Sequence, residues 1–235
     1  MSEKELNRAA GRHTKDPVNE VVLDVAEEIG FQRLGIMHNE AWYDDPRHLV
    51  FTLARYKFVA KMLSGKNRVA EIGCGDAFAS RVVKQEVGEL LVTDYDPLFI
   101  DDINARATPR WPMKAQVHDI LRAPLVGGPY DAVYSLDVLE HIPAEQEGAY
   151  LANVKASLAA SGVAVIGMPS LESQVYAGPA SRAGHINCKS GPDFKALMQR
   201  HFENVFMFSM NDEVVHTGYH KMAHYLFALC CRPVV

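Results

Sequence analysis

At 235 residues the chain is long enough to bury the core of one large domain, and its hydrophobic share of 48% and charged share of 23% are ordinary for a globular protein. A net charge of −5 without a block of Lys or Arg argues against nucleic acid as a partner, and no apolar run has the roughly 18 residues that a membrane-spanning helix needs. The first 16 residues lack the apolar core of a secretory signal and the four cysteines show no metal-type spacing, so we expect a cytoplasmic protein that binds neither membrane nor nucleic acid.

The start of the chain carries the weakest pattern. We predict a partly helical N-terminal extension over residues 1–40 and a single domain over residues 41–235. Apolar residues recur at helical spacing over Val21–Ile29, and again after Asp45-Pro46 over Leu49–Leu63. These helical segments predict a helical cap over the domain, a surface for a homodimer, or both.

From Ala70 to about Gly167, short apolar runs alternate with helical patterns, which is typical of a parallel sheet with helices on both faces. The predicted elements are strands at Arg68–Ile72, Leu90–Thr93, Ala115–His118, Asp131–Ser135, Val163–Met168, Val205–Phe208 and Ala223–Cys231, helices at Ala77–Val87, Ala149–Leu158 and Pro192–Phe202, a helix opened by Asp96-Pro97, and an irregular connection at Asn211–Lys221. Open sheets of this kind bind ligands at the carboxyl ends of their strands.

The first predicted strand runs into the turn Gly73-Cys74-Gly75. Glycine lets the backbone approach a bound nucleotide closely, because it has no Cβ. A dinucleotide-binding turn would place a third glycine at Phe78, and here Glu71 and Asp76 flank the turn instead. Because carboxylates repel a pyrophosphate, the pattern favours a phosphate-free ligand that bears an ammonium and a sulfonium group.

Acidic residues also follow the next two predicted strands. Asp94 ends the second strand, 19 residues after Gly75, where a carboxylate can accept hydrogen bonds from both hydroxyls of a ribose. Tyr95 beside it is placed to pack on an adenine ring, and Asp119 after the third strand is placed to accept from the adenine amino group. These residues predict a nucleoside site along one edge of the sheet.

Taken together, these segments resemble the successive motifs of class I S-adenosylmethionine-dependent methyltransferases. The resemblance is carried, within Arg68–Met168, by Glu71-Ile-Gly-Cys-Gly-Asp76, Asp94, His118-Asp119 and Tyr130-Asp-Ala-Val-Tyr-Ser-Leu-Asp-Val-Leu-Glu-His-Ile-Pro143. It implies a three-layer α/β sandwich with a seven-stranded, mostly parallel sheet of order 3-2-1-4-5-7-6, in which the last strand is antiparallel. It also implies an enzyme that uses S-adenosyl-L-methionine. One departure is Ala77, where many members have a further glycine.

By this resemblance, every motif and the helix before the first strand contribute to the cofactor site. The candidate cofactor-binding residues are Tyr43, Arg55, Glu71, Gly73, Cys74, Gly75, Asp94, Tyr95, His118, Asp119, Ile120, Ser135 and Leu136. The resemblance assigns Glu71, Gly73 and Gly75 to the methionine part. It assigns Asp94 to the ribose, Asp119 to the adenine, and the Ser135-Leu136 backbone to the methionine amino group. Arg55 and Tyr43 are candidates to hold the methionine carboxylate, with a surface role for Arg55 as the alternative.

A hydroxyl acceptor needs a base, because a neutral hydroxyl is a poor nucleophile, and histidine serves near neutral pH. Among the ten histidines, the candidates follow the fourth predicted strand or lie in segments that overhang the carboxyl edge: His141, His185, His216 and His220. The alternative is that they are incidental polar residues of surface loops. His216, His220 and His224 are spaced by four residues, but His224 begins a predicted strand, so the helical register of a metal site is lost and we predict no metal.

The segment Leu171–Ser190 is too long for a simple connection and predicts a lid or pocket wall. Because it is rich in Ser, Gly and Ala, with few bulky aromatic residues, we predict a small polar acceptor, preferably a hydroxyl of a sugar or another hydroxylated metabolite. Two alternatives stay open: a non-catalytic regulatory protein that binds S-adenosylmethionine, and an NAD-dependent oxidoreductase on a similar fold.

Overall fold

The computed structural model describes residues 13–234, and the chain divides into two compact units, with Leu34 and Gly35 on either side of the division. In the first unit, helix α1 (Glu20–Ile29) follows a short 3-10 turn that Asp16 caps by accepting the Val18 N–H. The first twelve residues of the predicted extension, and with them most of the segment that lacks a signal pattern, lie outside the described residues. Within residues 13–234, no helix combines the length and the apolar character needed to cross a membrane.

The second unit contains the remaining helices and a single sheet. Its helices are α2 (Ile36–Asp44), α3 (Arg47–Met62), α4 (Ser80–Lys84), α5 (Pro97–Ala105), α6 (Glu147–Ser157), α7 (Pro179–Gly184) and α8 (Gly191–Gln199), and its strands are β1 (Arg68–Ile72), β2 (Glu89–Asp94), β3 (Lys114–Val117), β4 (Tyr130–Leu136), β5 (Leu158–Pro169), β6 (Phe202–Asn211), β7 (Val214–His216) and β8 (Tyr225–Pro233).

The strands lie in the order β3-β2-β1-β4-β5-β8-β6-β7. The strands β1 to β5 pair in parallel, and β8 is antiparallel to both β5 and β6. The predicted α/β fold and its strand order are therefore confirmed, apart from one added strand. That strand, β7, arises because Asn211 pairs directly with Val214, so two residues turn the chain. Asp212 in this turn has the left-handed φ of 49° that tight hairpins require.

The hydrophobic core lies on both faces of the sheet. Side chains alternate between the faces of a strand, so in β1 Ala70 and Ile72 join one buried cluster and Val69 joins the other. Helices α6 and α8 contribute to the first cluster, whereas α3, α4 and α5 contribute to the second. The fold is therefore the three-layer sandwich that was predicted.

The helix predicted at Ala77–Val87 is wrong at both ends, because α4 covers only Ser80–Lys84. Ala77 has a φ of 50°, in the left-handed region that an α-helix cannot continue. At the other end, the Glu86 N–H turns back to the Val83 carbonyl at 2.9 Å. The loop after β1 is therefore longer than predicted, and it is available to line a site.

Candidate active site

The carboxyl ends of the parallel strands β1 to β4 meet at one edge of the sheet, where ligands bind in open α/β folds. Gly73 follows β1, Asp94 is the last residue of β2, His118 follows β3 and Asp137 follows β4. The topology therefore brings the predicted motifs to a common edge.

The glycine turn after β1 is tied to β2 by its backbone. The N–H groups of Gly73 and Cys74 donate to the Thr93 carbonyl at 2.8 and 2.9 Å. Both glycines are left-handed, with φ of 70° at Gly73 and 50° at Gly75. A Cβ on Gly73 would collide with Val138, and one on Gly75 would lie 2.5 Å from Met37 Sδ. Glycine is therefore required at Gly73 by the backbone and by the space, whereas at Gly75 the left-handed backbone favours it and the flexible Met37 side chain could move.

Glu71 lies in the core and faces no solvent. Its carboxylate accepts three hydroxyl hydrogen bonds, from Tyr56 at 2.6 Å, Ser80 at 2.5 Å and Tyr134 at 2.7 Å. Burial raises the pKa of Glu71, although these three hydroxyls oppose the increase. The residue that the family resemblance assigns to the methionine part therefore ties α3, α4 and β4 to β1 in this structure.

Asp94 and Asp119 present carboxylate oxygens at the same edge. Asp94 accepts the Gly75 N–H at 2.9 Å on Oδ2 and the Asp96 N–H at 3.0 Å on Oδ1. Each carboxylate oxygen has a second lone pair, so Asp94 can still accept from a ligand hydroxyl. The Asp119 side chain is 39% exposed and accepts from the Leu121 N–H at 3.0 Å. These two carboxylates can serve a ribose and an adenine.

The remaining candidates near these carboxylates differ in exposure. Tyr95 is 76% exposed and Tyr43 is 89% exposed, whereas Ile120 is buried. The His118 N–H donates to the Asp94 carbonyl at 2.8 Å, and its ring nitrogen Nε2 lies 3.0 Å from the Ala123 carbonyl oxygen. Tyr95 is therefore free to stack on a planar ligand, and His118 fixes the loop after β3.

The start of α2, for which the sequence pattern predicts no role, lies against the glycine turn. Asp76 accepts the His38 N–H at 2.9 Å, and its other oxygen lies 2.6 Å from His38 Nδ1. Burial alone would raise the pKa of Asp76, but His38 holds it below its ordinary value. Met37 on the same turn packs over Gly75. No periodic signal in Ile36–Asp44 marks this contact, because it depends on a loop 38 residues away.

The end of β4 forms a second polar cluster. Ser135 is buried and donates to the Ile72 carbonyl at 3.2 Å, and Leu136 next to it is also buried. Asp137 has a φ of 57° and accepts from Arg55 Nη1 at 2.9 and 3.1 Å. The Arg55 guanidinium stacks over the Tyr225 ring at 3.9 Å. Arg55 is therefore held at this edge by Asp137 rather than lying on the outer surface.

Two of the four candidate catalytic histidines meet next to this cluster. The rings of His141 and His185 are 5.2 Å apart, edge to face. One oxygen of the buried Glu140 and one nitrogen of each ring all lie within 4.8 Å of one another. Burial and the nearby Asp137 raise the pKa of Glu140 well above its ordinary value, and Arg55 opposes this only in part. This group has the residue types of a metal site or of an acid–base site.

The other two candidates have partners elsewhere. His216 Nε2 lies 2.9 Å from Asn211 Oδ1, and its Nδ1 accepts the Gly218 N–H at 2.9 Å, so the ring stabilises the β6–β7 hairpin. His220 packs against Gly191 at the start of α8. Neither contact places these histidines with the pair formed by His141 and His185.

Comparison with known proteins gives a domain match over part of the chain and a likeness in fold. Residues 69–162 match the family model described as a methyltransferase domain. No curated protein sequence is similar enough to the chain to match it.

Three solved structures illustrate the likeness in fold. A methyltransferase from Thermotoga maritima, described as a possible histamine N-methyltransferase, has a TM-score of 0.65 at 14% identity, with 83% of this chain and 95% of that chain covered. The N-methyltransferase NodS from Bradyrhizobium japonicum, in complex with S-adenosylhomocysteine, has a TM-score of 0.58 at 19% identity, with coverage of 82% and 91%. A TehB-like methyltransferase from Corynebacterium glutamicum has a TM-score of 0.57 at 22% identity, with coverage of 83% and 98%.

Proposed function

We propose that the chain is a class I methyltransferase that uses S-adenosyl-L-methionine, and that it transfers the methyl group to a hydroxyl of a small polar acceptor, such as a sugar or another hydroxylated metabolite. The match to a methyltransferase domain and the likeness in fold to known methyltransferases support this proposal. The methyl group of this cofactor is activated by its sulfonium. The protein's own residues then have to bind the two substrates, align them and remove the acceptor proton.

The residues at the edge of the sheet fit the cofactor. Gly73 and Gly75 hold the left-handed turn after β1 at this edge, and Asp94 retains lone pairs for ribose hydroxyls. The partly exposed Asp119 is suited to an adenine amino group, and Tyr95 to the adenine face. A pyrophosphate would meet carboxylates at this edge, which argues against the NAD-dependent alternative.

The meeting of His141 and His185 supports a hydroxyl acceptor most strongly. The two rings lie at the carboxyl end of β4, beside Asp137 and Glu140, although 43 residues separate His141 from Gly184, which precedes His185. Burial and the neighbouring His141 lower the pKa of His185, which keeps an unprotonated nitrogen available at neutral pH. A positioned base of this kind contributes about 10²–10⁴-fold to a rate.

The surroundings of this pair suit a polar molecule of modest size. The exposed ring of His141 offers a hydrogen-bond group, and Arg55 and Asp137 add a charged pair. With a net charge of −5, the chain has no basic surface run for nucleic acid, so we propose a small-molecule acceptor met in the cytoplasm. A homodimer built on the N-terminal helices is part of the same proposal.

The test is a methylation assay, read by mass spectrometry, with a panel of sugar nucleotides, an apolar phenol and small amines. We expect methylated sugar-type products and a loss of turnover of about 10²-fold or more in both His141→Ala and His185→Ala, with S-adenosylhomocysteine binding retained. His216→Ala serves as the matched histidine control and should keep most of its turnover, because its ring bonds within the hairpin.

Other outcomes would contradict the proposal in distinct ways. Methylated amines alone would move the acceptor to nitrogen, the second candidate, because two of the structural neighbours are described as N-methyltransferases. Tight cofactor binding without turnover of any acceptor would favour the regulatory alternative.

A further inference from the structure

Glu140 is buried without any compensating bond. Its side chain has no solvent exposure, and among residues 13–234 neither carboxylate oxygen has a hydrogen-bond partner. The nearest guanidinium, that of Arg55, directs its hydrogen bonds to Asp137. An unpaired buried polar group costs about 1–3 kcal/mol, and a charged one costs more. The Arg55 charge compensates the buried carboxylate only in part, so this position calls for a further cation or a proton donor.

The two histidines are held with defined tautomers. His141 Nδ1 lies 2.9 Å from the Gly184 carbonyl oxygen, which can only accept, so this nitrogen carries the proton. His185 Nδ1 lies 3.0 Å from Gln174 Oε1. The Gln174 amide is oriented in turn, because its Nε2 donates to the Ser170 carbonyl at 3.0 Å. In the neutral form, both rings therefore keep a free lone pair on Nε2.

This arrangement is the one by which proteins prepare metal ligands. A metal-bound imidazole usually donates its other N–H to a carbonyl or carboxylate, which fixes the ring and its tautomer. Two histidines and one glutamate, with a further coordination position left open, form a common ligand set of catalytic zinc. Ligand atoms around a tetrahedral zinc ion are about 3.3 Å apart, given bonds of about 2.0–2.1 Å. The candidate ligand atoms of Glu140, His141 and His185 lie within 4.8 Å of one another, so side-chain movements of at most about 1.5 Å would bring them to this spacing.

We propose that Glu140, His141 and His185 form a binding site for a divalent transition metal ion, with zinc as the best fit to the ligand types. This inference reverses the expectation of no metal from the sequence. That expectation considered the spacing of His216, His220 and His224, whereas the residues that meet are two neighbours on one loop and a third from a distant segment.

The chemical consequence of the ion rests on the proposed function. An ion with three protein ligands keeps an open position, and an acceptor hydroxyl bound there would release its proton to solvent more readily. The ion would then take over the activation that free imidazoles would otherwise provide, and it would also place the acceptor oxygen. Metal binding itself does not depend on which acceptor is methylated.

The experiment uses the full chain, stripped with a chelator and titrated with Co²⁺, followed by visible d–d absorption, and with Zn²⁺, followed by calorimetry. We expect one ion per chain, and a loss of affinity of about 100-fold or more in Glu140→Gln and in His185→Ala. His48→Ala removes an exposed histidine of α3 and should bind the ion as the unaltered protein does. Binding of S-adenosylhomocysteine reports that each variant is folded.

A graded variant separates a ligand role from a merely structural one. Gln174→Ala should weaken Zn²⁺ binding by about 10–100-fold, and Gln174→Glu should restore it, because a carboxylate also accepts the His185 Nδ1 proton. Absence of cobalt bands and of zinc heat in the unaltered chain would overturn the site. An affinity in Glu140→Gln and in His185→Ala equal to that of the unaltered chain would overturn it as well.

The metal site and the proposed function can fail separately. Zinc binding that depends on Glu140 and His185, without any methylated hydroxyl product, would support the site and overturn the acceptor. Hydroxyl methylation at an undiminished rate in chelated protein would overturn the role of the ion in activation.

Discussion

The two sides of the site edge differ in whether their buried polar groups are hydrogen-bonded within the chain. On the glycine-turn side, defined by Glu71, Asp76 and Asp94, every carboxylate accepts hydrogen bonds from the chain itself. On the histidine side, defined by Arg55, Glu140 and Tyr225, the Arg55 Nε, both Glu140 oxygens and the Tyr225 hydroxyl have no hydrogen-bond partner in the described part of the chain.

This contrast indicates which half is complete without a ligand. The glycine-turn side is held in place by backbone N–H groups and hydroxyls, so its shape is set before any ligand binds. On the histidine side, unpaired buried polar groups lower the stability of the fold, and hydrogen bonds from a bound ligand or ion can offset this loss. This difference agrees with the proposal that the cofactor binds on the glycine-turn side and the acceptor on the histidine side.

The largest expected effect comes from removing a carboxylate that serves both the turn and a ligand. Asp94→Ala should lower the affinity for S-adenosylhomocysteine by about 3–6 kcal/mol, since two hydrogen bonds to a charged group are lost at about 1.5–3 kcal/mol each. Calorimetric titration measures this loss. The affinity of Asp94→Asn, which keeps one acceptor oxygen, should lie between those of the unaltered protein and Asp94→Ala.

An unchanged affinity in a folded Asp94→Ala protein would show that the ribose lies elsewhere. Thermal unfolding should accompany the titration, because Asp94 also holds the Gly75 and Asp96 N–H groups.

The next effect concerns stability on the glycine-turn side. Glu71→Ala should lower the free energy of unfolding by about 3–5 kcal/mol, because three buried hydroxyls lose their acceptor and a cavity forms. Chemical denaturation measures the change. A loss below about 1 kcal/mol would mean that the three hydroxyls find other partners, and the contrast between the halves would weaken.

Glu71→Gln is the matched control, and it carries a pH dependence. Burial raises the folded-state pKa of Glu71 above the ordinary value of 4.5, so the folded chain holds this proton more tightly than the unfolded chain. The contribution to stability is therefore present below pH 4.5 and is lost as the pH rises through the raised folded-state pKa. Denaturation at a series of pH values should show this decrease in the unaltered protein and a smaller one in Glu71→Gln.

The smallest effect compares two buried tyrosines, one from each half. Tyr134 and Tyr225 are both fully buried, but only the Tyr134 hydroxyl donates to a carboxylate, at 2.7 Å. Tyr134→Phe should cost about 1.5–3 kcal/mol, whereas Tyr225→Phe should cost less than about 1 kcal/mol, since its hydroxyl loses no bond. Denaturation of the two variants side by side would refute the contrast if their losses were equal.

The fold could be predicted from the sequence because its motifs depend on local order along the chain. The glycine turn, Asp94 and Asp119 each follow a strand, and strands of one parallel sheet end at one edge. The added strand β7 was missed because it is only three residues long.

The contacts that join distant segments at the site could not be predicted from the sequence. Arg55 donates hydrogen bonds to Asp137, which lies 82 residues further along the chain. The His38 N–H donates to Asp76, which lies 38 residues further along. Nothing in the periodicity of α2 or α3 points to either contact. The meeting of His141 and His185 depends on how residues 171–190 fold back, where Gln174 and Gly184 orient the rings.

The hydroxyl cluster around Glu71 also bears on how the two halves of the sheet assemble. Its donors lie at very different separations along the chain, 9 residues for Ser80, 15 for Tyr56 and 63 for Tyr134. The hydrogen bonds from Ser80 and Tyr56 can form early in folding, whereas the bond from Tyr134 requires β4 to pair with β1. In a sheet without β4, the buried Glu71 carboxylate would lack the hydrogen bond from Tyr134, and this loss would destabilise a partly folded chain. Glu71 therefore opposes half-formed sheets and makes folding of this domain more cooperative.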